Sequence, residues 1–435
     1  MTDSNPAATS AAPLRRVDVT SAAAKARIAK RYRSERRFRA IGLGALLLTT
    51  TFVIVLLGDI LMRGLPAFTH HYVVADLAFD RETLAPGGKV DAAAVRAADF
   101  NGTITEALKK VLPGVEGRAQ ERALSRLAST GAGDEIARRI LADPGSLTAV
   151  NREAILLSAK ADLYLKGLMP KGEVGEQQAI FLDQLREKGM IEKRFNWRFF
   201  QAGDSREPEL AGIRGALVGT ALTLLVTLVL CLPIGVLAAI YLEEFAPKNR
   251  FTDIVEININ NLAAVPSIVF GLLGLAMFLN VFGLPRSAPL VGGLVLALLV
   301  LPTIIIASRA AIRAVPPSIK EAALGVGASH QQAVFHHVLP LAMPGIMTGT
   351  IIGMAHALGE TAPLLMIGMV AFIVDVPKAL TDAATVLPVQ IYLWSDLPEQ
   401  AFKARTAGAI IVLLLVLFVM NGLAIWLRKR FERRW

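Results

Sequence analysis

The chain alternates between long apolar runs and polar gaps, and six of the runs are long enough to cross a bilayer as helices. They cover residues 40–62, 215–242, 257–285, 287–308, 340–374 and 406–427. Glu360 interrupts the fifth run after residue 359. Backbone N–H and C=O groups in lipid must bond internally, so each run is expected to be helical. The pattern predicts an all-α polytopic membrane protein with six transmembrane helices.

A polar stretch of domain size, residues 63–210, separates the first two runs. Apolar residues at helical spacing, such as Ile104 with Leu108 and then Ile155 with Leu156, are divided by Pro and Gly breaks. This predicts a mainly helical domain built from short helices. The segment FNWRFF, residues 195–200, is typical of a membrane interface. Two roles stay open for the domain: a docking or regulatory surface, or a structural cap.

The distribution of Lys and Arg predicts the orientation. The first forty residues hold ten Lys/Arg against three Asp/Glu, and residues 428–435 hold five against one. Basic residues collect on the cytoplasmic side, so both termini are expected there. The chain is therefore expected to comprise five segments: a partly disordered basic cytoplasmic tail at 1–39, a retained signal anchor at 40–62, an extracytoplasmic domain at 63–210, a five-helix membrane domain at 211–428, and a basic cytoplasmic tail at 429–435.

Composition agrees with a membrane protein. Apolar residues make up 54% of the 435 and charged residues 19%, below the quarter that is usual in soluble domains. The single cysteine, Cys231, lies inside an apolar run and excludes a disulfide framework. The net charge of +10 is explained by the basic termini, so we expect lipid and no nucleic acid as a partner.

One polar gap carries the sequence EAALGVGASHQQAVFHHVLP, residues 321–340. Its spacing resembles the EAA loop of bacterial ABC importer permeases, with His337 where that family usually has an aliphatic residue. The resemblance implies a pair of short helices, within a cytoplasmic loop at 309–340, that docks on an ATPase. The residues that it assigns to coupling are Glu321, Ala322, Ala323, Gly327, Leu339 and Pro340.

Energy is expected from a partner. The sequence contains no phosphate-binding Gly-x-x-x-x-Gly-Lys-Ser/Thr loop, and Glu321 is better explained as a docking residue than as a catalytic base. We therefore expect a transport subunit rather than an enzyme, without catalytic residues or a cofactor of its own, while ATP and Mg are bound by the ATPase. The adjacent His336 and His337 have no third ligand at suitable spacing, so no metal site is predicted.

A second motif, AHALGETAPLL at residues 355–365, places Glu360 in an apolar region. A carboxylate at membrane depth normally faces a cavity or a partner charge, and Gly359 and Pro363 favour a break in the helix. The motif resembles the phosphate-specific ABC importer permeases of the PstA type, in a long variant with an extra extracytoplasmic domain. The pathway residues that the resemblance suggests are His356, Gly359, Glu360, Thr361, Pro363 and Arg309.

Two of these assignments have an alternative. Many phosphate permeases carry Arg where this chain has His356, so His356 and Glu360 could instead form a polar pair between helices without touching substrate. They share one helix face, because they are four residues apart. Arg309 either lies at the inner mouth of the pathway or serves with Arg313 as a positively charged membrane anchor.

The resemblance implies a type I ABC importer permease that moves inorganic phosphate into the cytoplasm by alternating access. The implied partners are a PstC-type permease in a heterodimer, a homodimeric ABC ATPase and a periplasmic phosphate-binding protein, and the implied location is the bacterial inner membrane. An importer of another oxyanion or small solute is the alternative within this class. A membrane sensor is the alternative from another class, but no signalling domain follows the last span.

Overall fold

A computed structural model describes residues 22–86, 90–112, 114–144 and 150–431. The chain divides into two units, residues 1–59 and 60–435. In the first, the described residues belong to helix α1, Ala22–Gly64, whose apolar side chains between Ile41 and Leu57 are largely exposed, as a lipid-facing span requires. The disorder predicted near the amino terminus and the end of the basic tail lie outside the described residues.

The second unit begins with a 3₁₀ turn, Leu65–Phe68, and a domain built around a small sheet. Strands β1 (Thr69–Ala78), β2 (Val150–Leu156) and β3 (Ile191–Phe195) pair antiparallel in the order β2-β1-β3. Nine short helices surround it in the described residues: α2 Arg81–Leu84, α3 Ala92–Ala97, α4 Phe100–Val111, α5 Arg118–Ser125, α6 Ala132–Ala142, α7 Ala159–Leu165, α8 Lys171–Val174, α9 Glu176–Glu187 and α10 Arg198–Gln201.

The prediction of a mainly helical domain is confirmed, but the sequence analysis missed the sheet. Ile155 and Leu156 lie in β2, not on a helix, and both are buried in the core. Ile104 and Leu108 are on α4 as predicted, and their buried face packs in the same core. The strands escaped notice because charged residues interrupt them, as in β3, whose sequence is IEKRF.

A buried charged cluster lies at the start of β1. Asp162 of α7 accepts hydrogen bonds from the backbone N–H of His71 (3.0 Å) and from Lys166 Nζ (2.5 Å), and His70 Nδ1 lies 3.2 Å from its carboxylate. Lys166 also donates to the carbonyl oxygen of Pro66 (2.8 Å), so the cluster fixes the turn that leads from α1 into the domain. Burial alone raises the pKa of Asp162, but His70, His71 and Lys166 outweigh it and hold the pKa well below its usual value.

The aromatic segment before the second span belongs partly to the core. Phe199 is fully buried, packs against Trp394, and has the guanidinium of Arg405 5.5 Å from its ring centroid. Arg405 is itself buried and donates to the carbonyl oxygens of Glu209 and Ala211, each at 3.5 Å. The predicted interfacial belt is therefore wrong for Phe199, whose ring helps to join the domain to the last helix.

The membrane domain follows from residue 211. Its helices are α11 Arg214–Ile240, α12 Arg250–Ala263, α13 Ser267–Gly274, α14 Pro289–Arg313, α15 Pro317–Gly325, α16 His330–Ala333, α17 Leu339–Gly359, α18 Ala362–Met366, α19 Leu387–Ser395 and α20 Gln400–Phe431. Three π-helical turns, Tyr241–Phe245, Leu275–Val281 and Val334–Val338, extend α11, extend α13 and join α16 to α17.

Within the described residues, five helices are long and apolar enough to span a membrane: α1, α11, α14, α17 with its preceding turn, and α20. The third predicted run, residues 257–285, is not a single straight helix. Helix α12 and the segment Ser267–Val281 meet at an angle of 101°. Pro266 explains the break, because it has no backbone N–H and disfavours helical geometry in the residue before it.

Helices α14 and α17 pack closely through small residues. A Cβ atom added at Gly345, Gly349 or Gly353, which share one face of α17, would overlap side chains of α14, among them Ala311 and Ala307. Small residues let two membrane helices approach closely. Because lipid provides no hydrophobic driving force for helix association, the contacts made at this short distance stabilise the pair. The close packing therefore holds α17, whose end carries the second sequence motif, against α14.

Candidate functional site

The loop 321–340 forms two short helices, as the resemblance implied. Helix α15 ends after Gly325, and Gly327 takes a φ of 91°, a conformation that side chains with a Cβ rarely adopt. Ser329 then caps α16: its Oγ accepts from the N–H of Gln332 (3.2 Å), and the Gln332 side chain accepts from the N–H of Ser329 (2.9 Å). The conformation of Gly327 and the capping box of Ser329 and Gln332 therefore stabilise the bend between the two helices.

Most of this motif is exposed and available to a partner. Glu321, Ala322 and Gly327 are exposed, and so is the apolar side chain of Val326, at 87%. Ala323 is buried, so it is the residue of the motif that packs inward. The predicted coupling residues Leu339 and Pro340 are half-buried at the start of α17 and link the exposed surface to that helix.

An ion pair and a hydrogen bond join this loop to the end of α11. Lys320 Nζ lies 2.5 Å from Oε2 of Glu244, and the Nε2 of His330 lies 2.9 Å from the carbonyl oxygen of the same residue. Glu244 belongs to the π turn at the carboxyl end of α11. Glu244 thus contacts both short helices and connects them to α11.

Arg309 is bound by two carboxylates. Its Nε lies 2.6 Å from Oε1 of Glu243 and its Nη2 lies 2.5 Å from Oε1 of Glu256 on α12. The Arg309 side chain is only 11% exposed, whereas Arg313, which shares Glu243 at 2.8 Å, is 69% exposed. The structure therefore does not bring Arg309 together with the motif at 355–365, and its charge is compensated locally.

Sequence reasoning missed the three glutamates of this network, Glu243, Glu244 and Glu256. The gap between the second and third apolar runs, residues 243–256, holds four Asp/Glu against two Lys/Arg, whereas cytoplasmic gaps are usually rich in basic residues. In the structure, the three glutamates pair with the arginines and the lysine at or after the end of α14.

The second motif forms a broken helix. Helix α17 ends at Gly359, Glu360 takes extended angles (φ −76°, ψ 126°), and the five-residue helix α18 starts at Ala362. Pro363 at the second position of α18 lies against α13, where a Cβ on Gly271 would come within 2.7 Å of the Pro363 Cα. The predicted break at Gly359 and Pro363 is confirmed, and the Pro363 side of it is packed against α13.

His356 and Glu360 form a pair across this break, with His356 Nε2 2.7 Å from Glu360 Oε1. The carboxylate side chain is 18% exposed and the imidazole 56% exposed, so the histidine presents a polar face away from the chain. Thr361 is half-buried beside them, and Gly359 is exposed with no neighbour that a Cβ would meet. With Pro363, five of the six suggested pathway residues therefore lie together at one break.

Within the described part of the chain, no group of three or more His, Cys, Asp and Glu side chains is arranged to hold a metal ion. His336 and His337 are exposed on the π turn before α17. The candidate site is thus made of two parts, an exposed helix pair at 317–333 and a polar break at 356–363, which α17 and its π turn connect.

Two family models match the chain. Residues 231–435 match "Binding-protein-dependent transport system inner membrane component", and residues 25–172 match a domain of unknown function, DUF3333. The first covers the coupling loop and the break. The second covers most of the domain built around the sheet.

Several proteins similar to this chain are permeases. The phosphate transport system permease protein PstA 1 of Mycobacterium tuberculosis is 32% identical over 55% of this chain and 77% of its own length. The probable ABC transporter permease protein YqgI of Bacillus subtilis is 35% identical over 40% and 58%, and the PstA of Mycobacterium leprae is 30% identical over 52% and 74%. A chain of the inward-facing MetNI methionine ABC transporter matches with a TM-score of 0.39 at 18% identity, over 51% of this chain and 96% of that one, which supports no inference about function.

Proposed function

The chain belongs to the PstA-type family of ABC transporter permeases, and we propose that it is the subunit through which an ATP-driven importer moves inorganic phosphate into the cytoplasm. The observation that carries the proposal is the pair of His356 and Glu360 at the break in α17. An imidazole that is exposed on a membrane helix, with a carboxylate 2.7 Å from its Nε2, is expensive unless it faces a polar path or a partner subunit.

The pair is suited to an anion that must pass without being trapped. The exposed imidazole offers a polar contact to phosphate, while the negative charge of Glu360 opposes a lasting association with the anion. Thr361 adds a hydroxyl donor next to the pair. Weak, compensated binding is what conduction needs, because a substrate that enters must also leave.

The coupling step is proposed to start at the exposed helix pair. An ATPase that binds Glu321 and Val326 and then moves would displace α15 and α16, and the pairs of Lys320 and His330 with Glu244 would carry that motion to α11. The π turn carries it to α17 as well, and α17 ends at the polar break. Alternating access would follow from the rocking of these helices around the break.

We infer the assembly from the family. The partners are an ABC ATPase homodimer that binds ATP and Mg, a periplasmic phosphate-binding protein, and a PstC-type permease that would cover the exposed face of His356. This chain itself is proposed to carry no cofactor. Its proposed location is the bacterial inner membrane with both termini cytoplasmic, which the basic residues that flank the first and last spans support.

The substrate is tested by uptake of radiolabelled phosphate, with sulfate as the control, in cells deleted for this chain and then complemented with it. Loss and rescue of phosphate uptake with unchanged sulfate uptake are expected. Normal phosphate uptake in deleted cells that have no second high-affinity route would remove phosphate as the substrate.

A further inference from the structure

An open cleft of about 870 Å³ lies where the sheet domain meets the start of α11. Strand β1, helix α6, the end of β3 and helix α10 form its walls, and Arg214, the first residue of α11, closes one side. Because α11 is a membrane-spanning candidate that begins at Arg214, the cleft lies on the membrane-proximal side of the domain.

The cleft is strongly basic. Five arginines and one glutamate line it: Arg138, Arg139, Arg194, Arg198, Arg214 and Glu135. Glu135 forms ion pairs with both Arg139 and Arg198. A cavity with charges of one sign and walls of low dielectric focuses the field and concentrates ions of opposite charge. The domain as a whole has no excess of either sign, with 21 Lys/Arg and 21 Asp/Glu in residues 63–210, so the clustering is local.

Some of the arginines in the cleft are bound by carboxylates, and others are free to bind a ligand. Arg139 pairs with Glu153 as well as Glu135, and Arg194 pairs with Glu192 at 2.6 Å. Arg138 and Arg214 are exposed, and neither forms an ion pair with any carboxylate in the described part of the chain. Two guanidinium groups on different walls of one cleft are therefore left to bind a ligand.

Other donors point to the same kind of ligand. The Nε–H of Arg198 is buried and has no acceptor among the described residues, although a buried donor without a partner is costly. Burial raises the pKa of the Tyr72 phenol and Glu135 adds to the effect, so the hydroxyl stays protonated and can donate. Trp197, 64% exposed, adds an aromatic wall of the type found at membrane interfaces.

We propose that this cleft is a binding site for a phosphoryl anion, either inorganic phosphate or the headgroup of an anionic phospholipid. Guanidinium groups match the oxygen geometry of phosphate and bind it in bidentate fashion, which a set of several arginines can do from more than one side. The site does not depend on which solute crosses the membrane, since it lies outside the break at 356–363.

The test uses the purified full chain in phosphatidylcholine nanodiscs. Arg138→Gln combined with Arg214→Gln removes the two available arginines and keeps those that hold Glu135. The matched control is Arg118→Gln, an exposed arginine on α5 that does not line the cleft. One arm measures binding of radiolabelled inorganic phosphate by equilibrium dialysis. The other measures enrichment of phosphatidylglycerol around the chain in nanodiscs of mixed lipid without free phosphate.

We expect the double variant to weaken binding by about tenfold in one of the two arms, because each lost guanidinium removes a charge-assisted hydrogen bond. Loss in the first arm identifies free phosphate, and loss in the second identifies a lipid headgroup. The corresponding double Lys variant should restore most of the binding, which separates lost charge from misfolding. Binding equal to that of the control in both arms would overturn the proposal. Phosphate bound in the membrane pathway would remain in every variant, so failure here is distinct from failure of the transport function.

Discussion

His356 Nε2 lies 2.7 Å from Glu360 Oε1, one helical turn apart at the point where α17 ends. The pair joins the last helical turn to the extended residue that follows. The family resemblance places an arginine at the position of His356, and an arginine is always charged and offers several donors in a planar group.

Replacement of His356 by Arg should therefore keep phosphate uptake near the wild-type rate, because a guanidinium can also donate to the carboxylate of Glu360. His356→Ala leaves Glu360 without this partner and should lower uptake by about tenfold. The quantity to measure is the uptake rate of each variant relative to the wild type. Equal rates in all three proteins would show that His356 has no part in transport.

Removal of Arg309 should destabilise the membrane domain. The substitution Arg309→Ala leaves the nearly buried Glu243 with only the exposed Arg313 and leaves Glu256 without this partner, and a broken buried pair costs about 3 kcal/mol. Arg313→Ala is the matched control and should cost less than about 1 kcal/mol, since its side chain is largely solvated. Unfolding of both variants in detergent measures the difference. Equal losses would show that Arg309 is no more than a positively charged anchor.

The coupling surface gives a third prediction. Replacing Glu321 by Lys should weaken co-purification of the ATPase while the chain stays in the membrane, because the reversed charge lies on the exposed face of α15. Glu187→Lys on α9 makes the same change at an exposed position far from this loop in sequence. Undiminished association of the Glu321 variant would rule out a docking role for this residue.

Asp162 links the stability of the sheet domain to pH. The pKa of Asp162 in the folded chain lies well below the unfolded value of about 3.9. Between these two pKa values, the unfolded chain therefore binds more protons than the folded chain. The contribution of the cluster is thus fully present above the unfolded pKa and is lost as the pH falls through the folded pKa. Asp162→Asn should cost about 3 kcal/mol at neutral pH, because it leaves the buried Lys166 without its counter-charge.

The same variant should lose part of its acid sensitivity. We expect protease resistance of the sheet domain to fall less steeply between pH 5 and 3 in Asp162→Asn than in the wild type. Asp183→Asn, which removes the more exposed partner of Lys171, is the comparison and should change resistance much less at neutral pH. An unchanged acid response in the Asp162 variant would show that the cluster does not control unfolding of the domain.

Local features of the sequence predicted the fold best. Five of the long apolar runs and the break at Glu360 depend on residues that are neighbours in the chain, and their structures agree with the prediction. The features that were missed, the ion pairs of Arg309 and the sheet, depend on residues far apart in the chain. Glu243 is 66 residues from Arg309, and β1 pairs with strands that begin at Val150 and Ile191. No periodicity within one segment indicates which distant carboxylate or strand completes it.

The break at Pro266 was also missed, although its signal is local. The apolar character of the run around Pro266 was given more weight than the proline. The run at 257–285 is apolar enough for a span, but a proline in its interior breaks the helix and turns the chain by 101°. Hydropathy measures only whether a segment can enter lipid. Backbone hydrogen bonding decides whether the segment crosses as one helix.

Passage of phosphate along the break at Glu360 can be measured as ATP-driven phosphate uptake into proteoliposomes that hold the complete transporter. Glu360→Gln keeps the size of the side chain but removes its charge, and Glu187→Gln is the control on the sheet domain. We expect Glu360→Gln to lower uptake by about tenfold or more, as for a lost charge-assisted hydrogen bond, with the complex intact. Uptake equal to that of the control would contradict it.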